Sequence, residues 1–284
     1  MKKTPLATIA GASIAAVALA LAPLAPASAA PATAWGVWDL SILSAVNSDT
    51  VTFGNPLFPD ATYTLSGTIG SADVYNVDDE DEWFSAETPI GAVFGANGPS
   101  ATNNFLKLET TTTTTDIITL TVTFASATTA NNLGFAVSDL DSDEVTVSAT
   151  DANGAALTGE QIVGTASPDA FNWCNAAGSP GTCTDTDTPT ITVNASDVFA
   201  AGTQEGSDGS TAWFQPSVGV KTITFAYKND DTNTQTSTSR YWFAQKESSL
   251  PNTGASALTM LGMFGFGAVL LAAGALMVAR RRRA

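Results

Sequence analysis

Residues 30–247 predict a single all-β domain, a two-sheet β-sandwich of jelly-roll-like build. Three observations carry this expectation. Many short runs alternate apolar and polar residues, Gly, Asn, Asp and Pro cluster between them, and the stretch holds all six Trp, all four Tyr and twelve of the fourteen Phe. That aromatic content can fill a core, so the acidic middle of the chain is a folded domain and not a solvated tail.

The clearest run is 116–124, where Ile118, Leu120, Val122 and Phe124 share one face and threonines the other. The same alternation recurs at Val145 and Val147, at Ile223, Phe225 and Tyr227, and at Tyr241 and Phe243. Further strand-like runs lie at 37–43, 63–69, 105–108, 133–137 and 190–193. Turn signals such as Asn97-Gly98-Pro99 and Asp151-Ala152-Asn153-Gly154 separate them. A helical turn is expected near 194–201, capped by Asn194 or Ser196. The threonine run 110–115 leads into the 116–124 strand and suits an edge or hairpin arm. Cys174 and Cys183 bracket a turn-rich loop and are expected to pair in an oxidising compartment, which would contribute roughly 2.5–3 kcal/mol in the chain-entropy model.

The two ends read as addresses. Met1-Lys2-Lys3, an apolar run over 9–21 and Ala27-Ser28-Ala29 make residues 1–29 a secretory signal peptide, cut after Ala29 by signal peptidase once the secretion machinery has engaged it. Residues 248–284 hold three parts in order. Leu250-Pro251-Asn252-Thr253-Gly254 comes first, then an uncharged apolar stretch over 258–279, then four arginines and Ala284. Twenty-two helical residues span about 33 Å, enough for the hydrocarbon core of a bilayer. The arginines hold the tail in the cytoplasm and leave the acidic domain outside.

This order resembles the cell-wall sorting signal of Gram-positive surface proteins, the LPxTG family anchored by sortase, with Asn252 at the variable position. The resemblance covers 250–284. It implies cleavage between Thr253 and Gly254, a thioester from the sortase cysteine to the Thr253 carbonyl, and transfer to an amine of a peptidoglycan precursor. The protein is then the substrate, held briefly in the membrane and afterwards joined to the wall. Pro251 favours the extended backbone that a groove would take. The segment 133–141, continuing to Val145-Thr146-Val147 and 151–154, is similar to β-sandwich domains of bacterial surface proteins, which implies fold alone.

Composition narrows the function of the domain. The chain has no His, so Ser-His and Cys-His nucleophile systems and His-ligated metals are excluded. Between Asp39 and Glu247 five cations oppose 27 acids, a net charge of −22, which disfavours nucleic acid as a partner. Acids gather at 78–82 and 139–144. Asp139, Asp141 and Asp143 alternate along an extended segment and are candidate oxygen ligands for Ca²⁺. An EF-hand is ruled out, because Glu144 stands at the sixth position, where glycine is required.

These features point to a non-enzymatic binding or adhesion module. Its ligand would be a glycan or another surface protein, with Trp83, Trp173 and Trp213 as stacking candidates. Two other readings stay open: a sortase-polymerised pilin subunit using Lys228 as the attacking amine, and a glycan hydrolase built on two carboxylates. Only about six residues separate the last strand-like run from Leu250, roughly 20 Å of extended chain. With no stalk, the domain is expected to sit close to the wall.

Overall fold

Alternation in the sequence becomes alternation in burial. In the computed structural model, Ile118, Leu120, Val122 and Phe124 are fully buried, while Thr119, Thr121 and Thr123 between them are half-exposed. The structure describes residues 33–40, 48–75, 84–97, 105–110, 117–166, 169–177, 186–204, 209–229 and 236–247. All of them belong to one unit, Pro31–Ser249. The expected signal peptide, Cys183, the acids at 78–82, Trp83, Leu250 to Gly254 and the apolar stretch 258–279 lie outside the described residues.

The strands begin with β1 Thr33–Trp35, β2 Val37–Trp38, β3 Ser48–Thr52, β4 Ala61–Gly67 and β5 Ile69–Tyr75. Next come β6 Phe105–Thr110, β7 Ile117–Phe124, β8 Leu133–Ser138, β9 Glu144–Thr150 and β10 Ala170–Asn172. The last five are β11 Thr190–Val193, β12 Val198–Ala201, β13 Ser210–Phe214, β14 Thr222–Lys228 and β15 Thr238–Lys246. Two short helices, α1 Pro89–Phe94 and α2 Gly159–Val163, and a 3-10 turn over Trp173–Asn175 complete the set among the described residues.

Sheet I runs β10-β13-β8-β15-β6-β5, with β1 paired to the far end of β15; sheet II runs β11-β12-β9-β14-β7-β4-β3-β2. The path through β6–β9 and β12–β15 is that of a jelly roll. From β6 to β9 the chain changes sheet at each step; β12 lies beside β9, and β13, β14 and β15 alternate again. The resulting orders, β6-β15-β8-β13 against β7-β14-β9-β12, interleave early strands with late ones, as two Greek keys require.

Aromatic rings fill the space between the sheets. Phe135 of β8 meets Phe225 of β14 edge-on at 5.6 Å, and Phe225 meets Tyr241 of β15 at 5.2 Å. Trp38 closes one end of this core against Tyr63 and Phe243, at 5.1 and 5.4 Å. A second cluster lies on the outer face of sheet I. There Phe105, Trp213 and Trp242 point away from the first core and are covered by Phe84, Ile90, Phe94, Phe171 and Trp173. Phe94 presses on β8 where Gly134 leaves room: a Cβ there would stand 2.3 Å from its ring.

Several elements depart from expectation. The helical turn expected over 194–201 is absent. Asn194 instead caps a hairpin turn, its Nδ2 donating to Asp197 Oδ1 at 2.7 Å, and the following residues form β12, whose Val198 and Ala200 face the core. A strand position with partners on both sides outweighs the local capping preference. β13 has no alternation to reveal it, since all five residues are buried between the first core and the second cluster. The run at 63–69 divides into β4 and β5 at Gly67, where φ is 102° and a side chain would strike the Ile117 carbonyl. α1 follows a Thr88 cap with Pro89 at its start, and α2 carries a Thr158–Gln161 capping box.

Candidate functional site

The acidic connection between β8 and β9 turns sharply at Asp139, whose φ of 62° is rare for a side chain other than glycine. Each outer carboxylate is committed to the protein. Asp139 pairs with Arg240 of β15, both largely buried. Asp143, 1% exposed, accepts a hydrogen bond from the Tyr227 hydroxyl at 2.7 Å. Burial, and then the Asp143 charge, push the Tyr227 phenol well above its ordinary range, so it remains a donor.

In this arrangement Asp139 and Asp143, two of the three expected Ca²⁺ ligands, have partners within the protein, and Asp141 lies between them. Among the described residues no three His, Cys, Asp or Glu side chains form a group able to hold a metal ion. The physical reason is that sheet pairing supplies other partners. Arg240 lies opposite Ser138, beside Asp139, and Tyr227 lies opposite Val145, near Asp143, so a cation and a phenol take up the negative charge.

Of the stacking candidates, Trp173 and Trp213 are 4% and 1% exposed and belong to the second cluster, so both are packing residues in this structure. No described cysteine is free; Cys174 is not a thiol, and the expected Cys174–Cys183 pairing involves a residue outside the described set. Lys228, at the end of β14, reaches Glu144 of β9 at 3.3 Å, with 38% of its side chain exposed. As the candidate pilin amine it is therefore accessible and already ion-paired.

The outer face of sheet II was not singled out by the sequence reading, although its signal was there in the threonines opposite the buried residues of β7. Across β4, β7, β14 and β9 these positions align in ranks. The first is Thr62, Thr123, Thr222 and Thr150; the second is Thr64, Thr121, Thr224 and Ser148; the third is Ser66, Thr119, Ala226 and Thr146. All are half-exposed or exposed. Ranks of this kind space hydroxyls about 4.8 Å apart between strands and about 6.7 Å along them. Glu144 is the lone carboxylate these four strands turn outward, and Lys228 neutralises it.

Residues 244–284 match the family model described as the LPXTG cell wall anchor motif. The chain is a sortase-anchored surface protein of the Gram-positive cell wall. This cell-wall protein is thus exported, processed by sortase and attached to peptidoglycan, and its ectodomain is the jelly roll described above. No curated protein sequence matches it. Among solved structures it is similar to the enzymatically active domain of tailspike protein 4 from bacteriophage CBA120, at 12% identity and a TM-score of 0.29, covering 65% of this chain and 19% of that one. It is also similar to the family 11 carbohydrate-binding module of the cellulase Lic26A-Cel5E of Clostridium thermocellum, at 10% identity and a TM-score of 0.29, covering 72% and 97%. Likeness this remote extends to neither ligand nor activity.

Proposed function

We propose that this wall protein is a non-enzymatic binding or adhesion module. It comprises one ectodomain over 30–247, freed from a signal peptide at 1–29 and delivered by a sorting signal at 248–284, with Cys174 joined to Cys183 across the loop between them. The observation that carries the reading is the short distance from fold to anchor. β15 ends at Lys246, and Leu250 follows four residues later, inside the matched anchor. The chain thus presents the sandwich itself at the wall, with its ligand a glycan or a neighbouring surface protein.

The test is the mass of the protein released from purified walls by muramidase. A single species ending at Thr253 and carrying a stem peptide supports the reading. A ladder joining Thr253 to Lys228 would replace it with a pilin subunit. Turnover of a wall polysaccharide, abolished by one Asp or Glu substitution, would overturn the non-enzymatic assignment.

A further inference from the structure

The two outer faces of the sandwich differ in what covers them. Sheet I is roofed by the second aromatic cluster, whereas the threonine ranks of sheet II have no layer of described residues over them. We infer that the threonine face of sheet II rests on the glycan strands of the peptidoglycan to which the chain is attached. This rests on the wall-anchored reading above and goes further by naming the face and its occupant.

Charge selects the face. The domain carries −22 overall between Asp39 and Glu247, and most of its surface is therefore repelled by the carboxylates of stem peptides. The threonine ranks are neutral, with Lys228 and Glu144 cancelling at their edge. Hydroxyls both donate and accept, so a ranked array of them suits an uncharged polymer bearing hydroxyl and acetamide groups. With no aromatic ring among the ranks, each contact is weak, and a freely diffusing domain would bind the glycan poorly.

The tether changes that balance. Residues 247–253 reach at most about 25 Å from β15 to the bond made at Thr253. A flexible link this short holds its partner at an effective concentration of about 1 mM, so a contact with a Kd of about 0.1 mM leaves the face free roughly one-tenth of the time. Anchoring thus makes an otherwise negligible affinity sufficient.

The test uses the full-length chain in sortase-bearing Gram-positive cells. Single cysteines replace Thr121, at the centre of the ranks, or Asn153, in the exposed turn Asp151–Ala155; Cys174 supplies no competing thiol. Maleimide labelling is compared between intact purified walls and the same protein after muramidase digestion. Thr121→Cys should label about tenfold faster after digestion and Asn153→Cys at an unchanged rate, the ratio the tether arithmetic gives. Adding Thr224→Glu should abolish the protection of Thr121→Cys, because a charged carboxylate would then have to shed its water against an uncharged polymer that offers it no counter-charge. Equal rates for Thr121→Cys in walls and in solution, or equal protection at both positions, would overturn the proposal while leaving anchoring intact. Failure to find the protein on walls at all would overturn both.

Discussion

One sandwich has two outer faces, and they obey the same strand geometry with opposite results. On sheet I, β8, β13 and β15 are buried on both sides, and their sequences place apolar residues at successive positions: Tyr241, Trp242, Phe243 and Ala244 in β15 alone. On sheet II, β7, β9 and β14 alternate strictly, and every second residue meets solvent. The comparison teaches that a strand's second face follows what packs over it. Where the segments around Phe84, α1 and Trp173 lie against the sheet, a second core forms. Where nothing described covers the sheet, threonine is retained, since it suits an extended backbone and tolerates water.

Truncation on the covered face gives the strongest test of that difference. Trp242 is 1% exposed and meets Phe105 and Phe84 at 4.7 and 4.9 Å. Trp242→Ala should cost about 3–5 kcal/mol in urea unfolding, because the roof cannot close over the lost ring. A loss below about 1 kcal/mol would mean that the roof is not part of the folded core.

Between the sheets, Tyr227→Phe should cost about 1–3 kcal/mol by removing the hydroxyl that donates to the buried Asp143 carboxylate. The pH dependence is specific in sign. Tyr63, Tyr227 and Tyr241 all have phenols raised above their ordinary value, chiefly by burial. A raised folded-state pKa contributes stability that is complete below the unfolded phenol value of about 10 and lost as pH climbs past it. Unfolding curves should therefore weaken above about pH 10, less steeply in Tyr227→Phe than in the natural chain. Stability that rose with alkaline pH would contradict the buried, protonated phenol.

On the threonine face of sheet II the expected effect is smallest. Thr121→Ala should shift unfolding by no more than about 0.5 kcal/mol, since the side chain loses little contact. A larger loss would show that the threonine ranks hold the sheet together, and the contrast between the faces would then be one of degree.

How much could be read from the sequence differs along the same lines. β7, β9 and β14 were legible because one buried and one wet face impose a period of two. β12 was mistaken for a helical turn because Asn194 and Ser196 favour caps as readily as hairpin turns, and four residues are too few for a period to decide. β13 was missed because burial on both faces removes the period altogether. At the candidate site, Asp139 and Asp143 are legible as an acidic stretch because they lie four residues apart in the chain. Their partners were not foreseeable: Arg240 is 101 residues from Asp139, and Tyr227 is 84 from Asp143.

The sequence by itself determined where this protein goes and what its building units are. The sorting motif is read linearly by another enzyme, and alternation is a local property of each strand, so neither needs a folded neighbour to be recognised. The tertiary structure alone decided which strands became neighbours, which carboxylates were neutralised by partners far along the chain, and which of the two faces was roofed. Those outcomes depend on long-range pairing, in which hydrogen-bonded register and ring packing bring together residues that no short window contains.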